Sequence, residues 1–61
     1  MTITYFDRTV QLRYDAEFTP SLEFIKAGSY ENRGTNPIRE FASMEELPPT
    51  VREEIEKQKP N

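Results

Sequence analysis

Hydrophobic and polar residues alternate strictly in one stretch of this chain. From Thr9, the apolar side chains Val10, Leu12, Tyr14, Ala16 and Phe18 are separated by the polar Gln11, Arg13, Asp15 and Glu17. A period of two puts successive side chains on opposite faces, so this stretch predicts a strand with one buried and one wet face. Thr2 to Phe6, rich in β-branched and aromatic residues, predicts a strand before it. Asp7-Arg8 would connect the two, without a glycine to favour the primed turns of the tightest hairpins. Beyond Phe18 two readings stay open. Thr19-Pro20-Ser21 can turn the chain into a third strand over Leu22 to Tyr30, favoured by the alternation of Leu22 and Phe24. Alternatively, Thr19 caps a short helix with Pro20 in its first turn and Gly28 at its end.

The rest of the pattern is more segmented. Asn32-Arg33-Gly34-Thr35-Asn36 reads as a loop in which Gly34 can take a positive φ. Ile38 to Phe41 reads as a last short strand, with Pro37 placing it at an edge. Ser43-Met44-Glu45-Glu46 has the spacing of a capping box, and Pro48-Pro49 must end that turn. A helix then runs from Pro49 to about Gln58, with Leu47, Val51 and Ile55 as its apolar stripe and a favourable Glu53–Lys57 pair on its surface. The order predicts an α+β fold: a small antiparallel β-meander of three or four strands followed by one C-terminal amphipathic helix, all in a single domain over residues 1–61.

Composition narrows the chemistry. The chain has 61 residues and neither cysteine nor histidine. A chain this short buries only about 60% of the surface exposed on unfolding, and neither a disulfide framework nor a standard zinc site is available as a staple. Thiol and imidazole catalysis are excluded for the same reason. The glycines Gly28 and Gly34 form no phosphate loop. These absences predict a non-catalytic protein without a cofactor or bound metal. The segment Thr2 to Asp7 lacks the basic-then-apolar pattern of a secretion signal and no apolar run is long enough for a membrane span, so a cytoplasmic location is expected.

Charge adds a direction. Acids and bases balance through Arg39, whereas Glu40, Glu45, Glu46, Glu53, Glu54 and Glu56 face only Arg52 before Lys57 and Lys59 close the chain. This acidic segment favours a basic partner over a phosphate backbone. Tyr5 and Phe6 are neighbours in a strand and must point to opposite faces, so one of them meets solvent, a partner or a second copy. Ile25 beside Phe24 poses the same problem. The sequence therefore predicts a protein-interaction module, a small regulator, inhibitor or accessory subunit. Tyr5, Phe6 and Ile25 would anchor the partner, Glu45, Glu46, Glu53, Glu54 and Glu56 would steer it, and a homodimer is a further option. The alternative is a single-stranded nucleic-acid module that stacks bases on strand aromatics beside Arg8, Arg13 and Arg39.

Overall fold

In a computed structural model, which describes residues 1–60, the alternating stretch is the second strand of a four-stranded antiparallel meander. The strands are β1 (Thr2–Asp7), β2 (Leu12–Phe18), β3 (Phe24–Glu31) and β4 (Arg39–Phe41), paired in chain order. A single 3₁₀ turn over Met44–Glu46 leads to the helix α1 (Pro49–Gln58). The fold is α+β, with the helix last.

Register explains why one face is dry. Ile3 pairs with Ala16, Ala16 with Ala27, and Ala27 with Phe41, so one cross-strand row is apolar throughout. The next row on that face runs Tyr5, Tyr14, Ser29, Arg39. Ala16 and Ala27 put little bulk at the sheet centre, which leaves depth for the helix stripe. Leu47, Val51 and Ile55 fill it, at 2%, 0% and 0% exposure, in one cluster with Ile3, Tyr14, Phe18 and Phe41. Burial raises the Tyr14 hydroxyl above its ordinary pKa. Asp7 pushes the same way, and Arg39 opposes both.

Several local expectations are corrected. The first connection spans Arg8 to Gln11 rather than Asp7-Arg8 alone. It is held by an Asp7 Oδ1 that accepts the Thr9 N–H (2.9 Å) and by Gln11 Nε2, which donates to the Arg8 carbonyl (3.0 Å). Val10 thus lies in a loop and is exposed, although it continues the alternation. The segment after Phe18 is a turn followed by a strand, not a helix. Leu22 belongs to the turn, where it adopts φ 68° and its N–H closes back on the Thr19 carbonyl. Among the described residues Gln11 is the other non-glycine residue with positive φ, and neither glycine has one, so Gly34 does not play the part expected of it.

The turn before α1 also differs from expectation. Ser43 makes no side-chain cap, and Glu46 Oε2 instead accepts the Ala42 N–H at 3.0 Å. On α1 the ion pair is Glu54–Lys57 (3.4 Å) rather than Glu53–Lys57, because i,i+3 spacing also brings side chains onto one face.

Candidate interaction surface

With the helix on one face, the other face of the sheet carries no covering helix or strand among the described residues. Its rows follow from the same register: Thr2, Glu17, Lys26; Thr4, Asp15, Gly28, Glu40; and Phe6, Arg13, Tyr30. The third row is the most organised. Arg13 Nε donates to Asp15 Oδ2 at 3.1 Å, Nη1 to the Asn32 carbonyl at 3.2 Å and Nη2 to the Gly34 carbonyl at 3.0 Å. Its guanidinium carbon sits 4.6 Å from the centre of the Tyr30 ring. Thr4 Oγ1 donates to the second Asp15 oxygen at 2.8 Å.

Gly28 is why Tyr30 lies where it does. A Cβ at that position would stand 3.1 Å from the Tyr30 ring, so the bare backbone lets the ring lean over it. A glycine within a strand often marks such an approach, and an aromatic neighbour offsets its missing side chain. Gly28 is buried, with the Tyr30 ring lying over it on this face. Beside the ring, Thr2, Asp15, Glu17, Lys26 and Glu40 line a depression open to solvent, bridged at one side by the Lys26–Glu17 pair (3.6 Å).

The sequence-predicted residues separate on this scaffold. Tyr5 turns inward and packs against the core, so it is not a surface anchor. Phe6 is half-buried on the bare face, and Ile25 is 55% exposed. Ile25 is exposed because of a β-bulge. Glu17 pairs with Lys26 and Phe18 with Phe24, which leaves Ile25 as the extra residue and turns Phe24 toward Phe18. Phe6 and Ile25 lie toward opposite ends of the sheet and do not form one patch. Among the acids, Glu46 is engaged in its turn, and Glu54 and Glu56 are paired with Lys57 and Lys59. Glu45 and Glu53 are exposed and make no ion pair among the described residues.

The arginines are also dispersed. Arg8 is in the first loop. Arg13 is committed to Asp15, two carbonyls and Tyr30. Arg39 is on the helix-facing side, with its guanidinium carbon 5.0 Å from the centre of the Phe41 ring. Arg13 and Arg39 therefore occupy opposite faces, and three carboxylates stand on the face that bases would have to approach. Among the described residues, no group of three or more potential metal ligands converges, and no helix is long and apolar enough to cross a membrane. No protein-family model matches the chain, and neither curated proteins nor solved structures provide a match.

Sequence patterning missed Arg13 as a positioning residue and Tyr30 as a surface residue. The signal was Gly28 two residues before Tyr30, on the same face of a strand. Replacing Arg13 with alanine should cost about 1 kcal/mol, the size of a few partly exposed hydrogen bonds lost together. It should also loosen the loop between β3 and β4. Amide exchange at Gly34 and Ile38, which donate to the Glu31 and Ser29 carbonyls, reads this directly. Arg13→Lys should not restore protection, because an ammonium cannot span both loop carbonyls and Asp15 as the fork does. Unchanged exchange in Arg13→Ala would remove Arg13 from that role.

Proposed function

We propose that this protein is a non-catalytic interaction module, a small regulator, inhibitor or accessory subunit that works by binding another protein on the bare face of its sheet. The observation that carries this reading is the Phe6–Arg13–Tyr30 row. Aromatic and arginine side chains supply most of the binding energy at interfaces, and here they are held in place before any partner arrives. Tyr30 rests on Gly28, and Arg13 is fixed by the groups around it, so little side-chain freedom remains to be lost. The unpaired Glu45 and Glu53 support a steering role toward a basic partner, which affects association rate more than final affinity.

The test is affinity retention from cells that express the chain. Wild type should hold one protein in stoichiometric amount. Tyr30→Ala and Phe6→Ala should each weaken retention at least tenfold while circular dichroism shows an intact fold, and Glu53→Lys should slow association. Retention that survives both aromatic substitutions, or steep loss with salt accompanied by co-purifying nucleic acid, would overturn the reading.

A further inference from the structure

The two edges of the sheet are built differently. β4 has only three residues, follows Pro37 and carries the charged pair Arg39-Glu40. Short length, proline and charge are the usual devices that block an edge. β1 is longer and has no proline, and its one charge, Asp7, stands at its end. Thr2-Ile3-Thr4-Tyr5-Phe6 is uncharged, free of proline and glycine, and pairs with β2 without a bulge along its whole length.

Hydrogen bonding defines which backbone groups β1 leaves free. Met1 and Phe18 exchange both bonds, Met1 N to Phe18 O at 2.7 Å and Phe18 N to Met1 O at 2.8 Å. Antiparallel ladders alternate, so Ile3, Tyr5 and Asp7 also bond to β2, whereas the N–H and C=O groups of Thr2, Thr4 and Phe6 point away from the sheet. The Thr4 carbonyl confirms this direction, since Gln58 Nε2 reaches it from outside at 3.1 Å. That exposed side-chain bond is the edge's only cover among the side-chain hydrogen bonds of the described residues.

We infer that β1 pairs antiparallel with β1 of a second copy, about a two-fold axis at Thr4, to give a continuous eight-stranded sheet. In this register the two Thr4 residues face each other and Thr2 faces Phe6, so every outward N–H meets an outward C=O once the exposed Gln58 side chain gives up the Thr4 carbonyl. On the bare face the facing pairs are Thr–Thr and Thr–Phe, and on the helix side Ile3 lies beside Tyr5. Both arrangements suit cross-strand packing. A second copy fits better than an unrelated strand for two reasons. The chain carries a net charge of −3, yet the one acid of β1, Asp7, lies at the end of the strand and in this register faces Met1 rather than another acid, so self-association meets no direct like-charge contact along the edge. Only one edge is open, so pairing closes at two copies and does not propagate into a fibre. The edge meets the bare face at Phe6, but the pairing is made by backbone groups of β1 and does not depend on the partner-binding reading.

Light scattering across micromolar to millimolar concentrations should show a monomer–dimer equilibrium. Thr4→Pro removes an outward N–H without breaking a bond to β2, and should weaken dimerisation at least tenfold. Thr4→Val keeps the N–H and should dimerise as wild type does. Wild-type amide exchange provides a readout that needs no variant. Protection at Thr4 and Phe6 should rise with protein concentration, while Ile3 and Tyr5, already bonded to β2, should show no comparable gain. A monomer at every concentration, or a dimer whose Thr4 and Phe6 amides gain nothing, would overturn the inference.

Discussion

Phe18→Ala should leave the protein largely unfolded at 25 °C. Phe18 is 1% exposed and is the largest side chain so deeply buried. It meets Phe24 edge-on, with ring centres 5.9 Å apart and planes at 77°, and the Lys59 ammonium lies 4.6 Å from the ring centre. Its backbone also ties down Met1. Truncating a buried phenylalanine costs about 3–5 kcal/mol. At roughly 0.05–0.15 kcal/mol per residue, a chain of this length has only about 3–9 kcal/mol in total. Loss and reserve are therefore of the same order. Urea titration followed by circular dichroism measures the difference. Phe24→Ala is the control, because Phe24 is only half-buried and should cost distinctly less. A cooperative Phe18→Ala transition within about 1 kcal/mol of wild type would show that Phe18 does not hold the two layers together.

The face that receives Phe18 was legible because its pattern is periodic. Leu12, Tyr14, Ala16 and Phe18 could share a face only in a strand, and Val51 and Ile55 share one face of a helix, although Leu47, read as part of the same stripe, joins them from the extended segment before α1. Together they dictate a sheet with a helix on one side. Legibility failed where periodicity continued without consequence or where geometry was purely local. Val10 keeps the alternation yet lies in a loop, because a four-residue connection with Gln11 at φ 57° ends pairing at Leu12. Leu22 alternates with Phe24 in sequence, but a left-handed turn and the bulge at Ile25 break the parity between them. The surface was harder to read than the core. Tyr5 and Phe6 were correctly forced apart, but which of them faced inward depended on the register with β2. The grouping of Phe6, Arg13 and Tyr30 depended on three strands at once. Charge counting overstated the acidic surface, because lysines one helical turn away pair with Glu54 and Glu56.

Ile55→Ala should detach the helix before it unfolds the sheet. α1 has ten residues, below the roughly 12–15 at which isolated helices become even marginal in water. It starts at Pro49 with no side-chain cap from Pro48, so its own ends contribute little. What holds it is Val51 and Ile55 against the sheet, with Leu47 packed beside them from the segment just before the helix, and Ile55 is fully buried. Deleting that side chain costs about 2–5 kcal/mol, more than an element of this length can supply from backbone hydrogen bonding alone. Release of α1 would take the Gln58 bond from the Thr4 carbonyl and the Lys59 ammonium from Phe18, uncovering one side of β1 as well as the dry face. Amide exchange should therefore accelerate along Val51 to Gln58 while the paired centre of β2 and β3 retains protection. The exposed apolar face should also bind a hydrophobic dye. Glu53→Ala, on the exposed side of the same helix, should stay within about 0.5 kcal/mol of wild type. If helix and sheet instead lost protection together in Ile55→Ala, α1 would be part of one cooperative unit with the sheet rather than a layer docked onto it.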